Sequence, residues 1–157
     1  MHIDSGDYQP MEKFGLRWRW DKLHCPEMSE QDRSRIRPLT SLKAEEVWRE
    51  SQQLYHVVND VVRPNATAIA QLNTAQKESV EVRDWLDAAI PATEEAIYVS
   101  WGSNTSVETD RATFVTWWDT FCYPASDDVL IRPVSSTWAA FYWHEEVLYV
   151  GTSPTGS

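Results

Sequence analysis

Acid–base side chains are concentrated near two predicted turns in the C-terminal part of the sequence. Asp127 and Asp128 come before one predicted strand, and His144, Glu145 and Glu146 lie at the end of another. If the two hairpins bring these turns together, a histidine and several carboxylates meet at one end of a sheet, where they could bind a metal or transfer protons. Adjacent residues of a strand point to opposite faces, so only one of each pair converges. Solvated acidic turns are therefore the favoured interpretation.

A thiol nucleophile is a second possible chemistry, with Cys122 as the nucleophile and His144 as its base. It requires a lowered thiol pKa and a third orienting group, neither of which the sequence indicates. Cys122 lies beside Phe121 on the apolar side of a predicted helix, which favours a buried thiol. Cys25 and Cys122 have no C-x-x-C spacing and no histidine cluster nearby. We expect two free thiols, without a disulfide framework or a zinc site.

The common cofactor and catalytic motifs are missing from this sequence. None of its five glycines belongs to a G-x-x-x-x-G-K-[ST] or G-x-G-x-x-G phosphate-binding loop. There is also no G-x-S-x-G and no H-E-x-x-H. We therefore expect no cofactor, no metal and no enzymatic activity.

The overall charge points to a basic partner. The net charge is −10, and residues 61–157 hold 5 Lys and Arg against 13 Asp and Glu. This excess opposes binding to nucleic acid or to an anionic membrane. The N-terminus has no signal-peptide pattern, and no apolar run approaches the length of a membrane span. We expect a soluble cytoplasmic protein with one domain over residues 1–157, of which 1–12 form a flexible arm.

The elements that would position these residues can be predicted from periodicity and capping. In the first half, we predict a short edge strand over 15–20, a helix that begins after Ser29 and ends before Pro38, and a long amphipathic helix from Leu42 to Val62. Residues 65–78 are interpreted as a surface connection. A further helix begins at Ser79 and ends near Pro91.

From Ala96 onward the hydrophobic period changes from 3.6 to 2. A strand over 97–101 is followed by a turn over 102–105 and by a helix capped by Thr109 and Asp110. Three closely spaced strands then follow, at Val129 to Val134, Thr137 to His144 and Val147 to Gly151. The predicted class is α+β, with a helical N-terminal half packed on a C-terminal antiparallel sheet of order β-α-β-β-β.

Large aromatic side chains occupy both faces of the strand from Thr137 to His144. Trp138, Tyr142 and His144 point one way, and Phe141 and Trp143 point the other. One face can pack on the helices, while the other is either covered by the N-terminal segment or exposed. An exposed aromatic face with an acidic rim is typical of a protein-binding surface, whereas burial in the core is the expected position for most of these rings. The predicted partner-binding residues are the acids Asp127, Asp128, Glu145 and Glu146 and the rings Trp138, Tyr142 and Trp143.

Two segments resemble a small uncharacterised family of bacterial cytoplasmic proteins. The first runs from Arg17-Trp18 through 28–32 and 36–40 to 44–48, and the second comprises Trp117-Trp118, Phe121, 127–131 and the final strands. The second, with Phe121-Cys122-Tyr123-Pro124 before the acidic pair, is also similar to the end of several immunity proteins that neutralise secreted bacterial toxins. Residues 52–95 match neither. The resemblance implies a small, acidic, cytoplasmic protein without a cofactor that binds a toxin tightly.

We therefore predict an immunity or antitoxin-like protein that binds a basic toxin domain through an acidic, aromatic-rich surface. Two alternatives remain open. One is a small cytoplasmic enzyme with a site near Cys122 and His144. The other is a homo-oligomeric assembly subunit whose aromatic face is a homodimer interface, so both a monomer and a homodimer are compatible with the sequence.

Overall fold

The computed structural model describes residues 5–152, and positions 1–4 of the predicted arm lie outside them. The strands are β1 (Arg37–Pro38), β2 (Tyr55–Val58), β3 (Val61–Pro64), β4 (Ala68–Asn73), β5 (Ala96–Gly102), β6 (Thr105–Asp110), β7 (Val129–Pro133), β8 (Trp138–Trp143) and β9 (Val147–Thr152). The helices are α1 (Glu30–Ser34), α2 (Ser41–Ser51), α3 (Ser79–Ala89), α4 (Arg111–Thr116) and α5 (Trp118–Phe121). Seven strands form one antiparallel sheet of order β1-β6-β5-β7-β8-β9-β4, and β2 and β3 form a separate hairpin.

The α+β class is confirmed, but the prediction of a helical N-terminal half is wrong, because strands are spread along the whole chain. The capping signals identify helices correctly. The Ser29 side chain accepts from Asp32 N at the start of α1, and the Asp110 side chain accepts from Thr113 N at the start of α4. The helix beginning at Ser79 and the last three strands lie where they were predicted.

The predicted strand over 15–20 is wrong: residues 17–20 form a turn of 3-10 helix. That strand was predicted because Leu16, Trp18 and Trp20 alternate with Arg17 and Arg19, which would bury the rings and expose the arginines. In the structure Arg19 is buried and Trp18 is 39% exposed. Trp20 is buried, and its ring stacks on Phe14 with the ring centroids 6.2 Å apart. The tertiary contacts of Arg19 and Trp20 override the local pattern.

The predicted helix from Leu42 to Val62 is correct only as far as Ser51, where α2 ends. The rest forms the β2–β3 hairpin, whose turn residues Asn59 and Asp60 have φ of 50° and 65°. Asn and Asp tolerate this left-handed conformation, which matches the twist of a tight hairpin. Four valines flank the turn in two adjacent pairs, at positions 57, 58, 61 and 62, and β-branched residues favour strands.

Two further strands were missed. The predicted surface connection over 65–78 contains β4, which pairs with β9. The predicted turn before Asp110 is followed by β6, which pairs with both β5 and β1. The C-terminal part is therefore β-β-α-α-β-β-β rather than β-α-β-β-β.

Both faces of the sheet are covered. On one face, α3, α4 and α5 and the N-terminal turns pack on a core that includes Ile97, Val99, Ile131 and Trp138. On the other face, the β2–β3 hairpin packs on Leu130, Phe141 and Tyr149, with Trp48 and Tyr55 at the margin. None of the helices in the described part of the chain is long and apolar enough to cross a bilayer.

Substituting Gly151 tests how closely the β2–β3 segment packs on the sheet. A Cβ at this position would lie 2.6 Å from Cβ of Pro64 and 2.8 Å from Cβ of Ala66, so Gly151→Ala must displace backbone. We expect the free energy of unfolding, measured with denaturant, to fall by about 1–3 kcal/mol. Gly102→Ala is the control, because a Cβ there meets nothing within 4 Å. Equal stabilities of the two variants would contradict the packing.

Candidate functional site

The predicted acidic turns do meet at one end of the sheet. Val129 pairs with Tyr142, so the start of β7 lies beside the end of β8. The tight turn between β8 and β9 then holds Glu145 and Glu146, with Glu146 N donating to Trp143 O at 2.8 Å and Glu146 at a φ of 70°. We call Asp128, Trp143, His144, Glu145 and Glu146 the acidic end.

Asp128 and His144 hold the two turns together. Asp128 Oδ1 accepts a hydrogen bond from the backbone N of His144 at 3.0 Å and lies 2.9 Å from its ring Nδ1. Both side chains stay about half exposed, at 53% for Asp128 and 43% for His144. Within the described residues, no group of three or more His, Cys, Asp and Glu side chains could hold a metal ion. The pair therefore fixes the positions of the two turns relative to each other.

Asp127 points in the opposite direction and is buried. Its carboxylate forms a two-pronged ion pair with Arg19, at 2.7 Å from Nη1 and 3.0 Å from Nη2, and also accepts from the backbone N of Tyr123 at 2.8 Å. This separation of two adjacent acids follows from the alternation of side chains along an extended chain. Of these two adjacent acids, only Asp128 is at the surface.

The aromatic residues divide in a similar way. Trp138 and Tyr142 belong to the main core and are 3% and 1% exposed, so neither offers contact area to a partner. Burial raises the pKa of the Tyr142 hydroxyl. Trp143 is half-buried at the acidic end, with its ring edge against His144. Trp143 is therefore the one ring of the predicted set that a partner can reach.

Cys122 lacks the properties of a catalytic thiol. It is buried, and burial raises its pKa well above the ordinary value, with the Asp127 carboxylate adding to the shift. His144 directs its ring at Asp128 rather than at a thiol. Cys25 is also buried and free, and burial raises its pKa too. The predicted free thiols are confirmed, and the geometry does not assemble a thiol–imidazole pair.

An aromatic cleft lies beside the acidic end on the hairpin side of the sheet. Its volume is about 250 Å³. Asp128 lines it together with Trp48, Gln52, Tyr55, Val62, Leu130 and Phe141. The hydroxyl of Tyr55 lies 2.8 Å from Ala140 O and 3.2 Å from Ile131 O, which fixes that ring in the wall. Aromatic walls with one carboxylate at the edge suit an organic cation.

Sequence reasoning missed the walls of this cleft. Trp48 and Tyr55 fitted one face of the predicted long helix, where they would have been two turns apart. In the structure α2 ends between them, and the chain turns into the hairpin that carries Tyr55 across the sheet. The helix-breaking signal was the valine-rich segment on either side of Asn59-Asp60.

Comparison with known proteins identifies one relationship. A family model described as "Protein of unknown function (DUF2947)" matches residues 8–149. The matched range includes residues 52–95, where the sequence resembled neither of the groups considered above. No curated protein and no solved structure matches the chain.

Thiol reactivity under native conditions tests the structural role assigned to Cys122. We expect Cys25 and Cys122 to react with iodoacetamide only as the protein unfolds, because both are enclosed and their pKa values are raised. Mass spectrometry of tryptic peptides measures the labelling of each thiol with time. Rapid labelling of Cys122 in the folded protein would restore the thiol-nucleophile hypothesis.

Proposed function

Because this chain belongs to the DUF2947 family, whose members have no known function, we propose a role from its own chemistry. We propose that it is an immunity or antitoxin-like protein that binds and neutralises a basic toxin domain in the cytoplasm. The observation that carries this proposal is the position of Asp128, which lines an aromatic cleft beside the exposed Glu145 and the half-buried Trp143 and Glu146.

Electrostatics supports a basic partner. The chain has a net charge of −10, and the acidic end contributes three carboxylates against one histidine. Carboxylates that remain in contact with water attract a cationic surface over a distance of about one Debye length, roughly 8 Å at physiological salt. Such attraction mainly raises the association rate and excludes acidic competitors.

The cleft supports a specific anchor, which we assign to an arginine side chain of the partner. A guanidinium can stack on the partly exposed rings of Trp48 and Tyr55 while it bonds to the Asp128 carboxylate. Both contacts between His144 and Asp128 are to Oδ1 of the carboxylate. Within the described residues Oδ2 has no partner, so it is available to the guanidinium. A buried arginine anchor surrounded by weaker polar contacts is the usual anatomy of a tight protein interface.

The resemblance of the C-terminal segment to immunity proteins supports a toxin as the partner. The resembling segment comprises Trp117-Trp118, 121–124, 127–131 and the final strands, and it includes the residues that build the acidic end. For toxins that are basic nucleases, carboxylates at such a surface can take the place of substrate phosphates and block the active site. Asp128, Glu145 and Glu146 would serve that purpose, with Trp143 at the border of the contact.

Growth rescue tests this function directly. We expect the product of the coding sequence directly upstream of this one to arrest bacterial growth, and co-expression of this chain to restore it. The triple variant Asp128→Asn, Glu145→Gln and Glu146→Gln removes three charges from the acidic end. We expect it to restore growth poorly and to associate with the purified toxin at least about tenfold more slowly.

A charge-matched variant is the control for this experiment. Glu27→Gln, Asp84→Asn and Glu94→Gln remove three charges from exposed positions elsewhere in the chain. We expect this variant to rescue growth as the unmodified chain does. A harmless upstream product would contradict the toxin assignment. Equal loss of rescue in the two triple variants would show that total charge, rather than the acidic end, is what matters.

A further inference from the structure

One edge of the sheet is open. Strand β4 pairs with β9 along its whole length, and no strand lies on its other side within the described residues. Five of its six residues are exposed, including Ile69 at 43%. The outward backbone N–H and C=O groups of an edge strand can therefore pair with another strand, as in any unprotected sheet edge.

The opposite edge of the sheet, formed by β1, is protected against the addition of another strand. Strand β1 has only two residues, and one of them is Pro38, which has no N–H to donate. The segment before it covers what remains, with Gln9 N donating to Pro38 O at 3.0 Å and Thr40 N donating to Asp7 O at 2.9 Å. Tyr8 also forms a bridge with Leu39. This edge has the usual protections against strand addition.

Strand β4 carries none of the sequence features that protect a sheet edge. From Asn65 to Gln76 the sequence contains no Lys, Arg, Asp, Glu, Pro or Gly, although about a quarter of the whole chain is charged. Its six residues, Ala-Ile-Ala-Gln-Leu-Asn, pair with β9 without a bulge. Interior strand β8 is similarly free of charge. The exposed edge thus has the composition of a strand that is paired on both sides.

We infer that two copies of this chain pair through β4, antiparallel about a two-fold axis, and so join their sheets into one. An antiparallel strand can pair with its own copy because residue i then contacts residue j while j contacts i. A second copy also fits the charge of this edge. The basic partner proposed above would be attracted to carboxylates, whereas β4 is neutral and lets two acidic chains approach without local repulsion.

The pleat restricts how the two strands can align. Residues directly opposite each other lie on the same face, so the axis must pass beside a residue that faces its own copy. At the middle of β4 that residue is Ala70 or Gln71. In the first register the two Gln71 side chains are diagonal neighbours, and in the second they are directly opposite, roughly 5–8 Å apart in either case. Charges introduced at position 71 therefore meet across the axis.

Charged substitutions at Gln71 test whether two copies pair through β4. We expect the unmodified chain to sediment as a dimer of twice 18.2 kDa, and Gln71→Glu and Gln71→Lys each to shift it to the monomer because like charges meet at the axis. Mixing the two variants should restore a dimer that contains one copy of each, which native mass spectrometry identifies. This experiment does not involve the acidic end, so its outcome is independent of the growth rescue.

Gln31→Glu is the matched control, since Gln31 is exposed on α1, and we expect it to leave the dimer intact. An unmodified chain that sediments as a monomer across a wide range of concentration would overturn the inference. A dimer that both Gln71 variants retain would also overturn it, because the contact would then lie elsewhere. Variants that separate but do not recombine on mixing would contradict the two-fold pairing of β4.

Discussion

The buried ion pair between Arg19 and Asp127 is the contact on which the geometry of the acidic end depends. It joins a 3-10 turn near the N-terminus to the residues that lead into β7, 108 positions later in the chain. Charges leave water only at a large cost, so a buried carboxylate needs its partner. The cost is offset by two hydrogen bonds to Arg19 and by one from Tyr123 N. With Asp127 held inside, the next residue, Asp128, must point outward to His144 and the cleft.

Aromatic rings complete this arrangement around Arg19. Its guanidinium carbon lies 4.7 Å from the ring centre of Tyr123, 5.1 Å from that of Trp18 and 5.3 Å from that of Trp101. The three aromatic faces attract the Arg19 guanidinium and replace part of the hydration that it loses on burial. Several of the nine tryptophans are therefore structural. Trp48 and Trp143, which the proposed function assigns to the partner contact, are partly buried and lie at the hairpin side of the sheet.

The parts of this structure that could be predicted from the sequence are the local ones. Ser29 and Asp110 cap helices through hydrogen bonds to residues three positions away. Strands β7, β8 and β9 pair in sequence order and are joined by short turns. Their causes lie within a few residues. The α+β class followed from them.

The rest depends on contacts between distant residues. The hydrophobic residues between Tyr55 and Pro64 are spaced in a way that suits either a helix or two short strands. The hairpin forms because these residues pack on Leu130 and Phe141. Strand β4 exists because β9 is beside it, and β6 because β5 is. The sequence also could not show that Asp127 is buried while Asp128 is exposed. Asp127 is buried because it pairs with Arg19, and the alternation of Arg and Trp predicted that Arg19 would be exposed. The cleft, built from α2, the hairpin and two strands, has no local signal.

A double-mutant cycle on Arg19 and Asp127 tests the central claim most directly. Arg19→Met and Asp127→Leu each leave one buried charge without its partner, so we predict that each lowers the free energy of unfolding by about 3–5 kcal/mol. In the double variant both charges are gone, and the loss should be smaller than the sum of the two by about 2 kcal/mol or more. Losses that simply add would contradict the account, because the two side chains would then act independently.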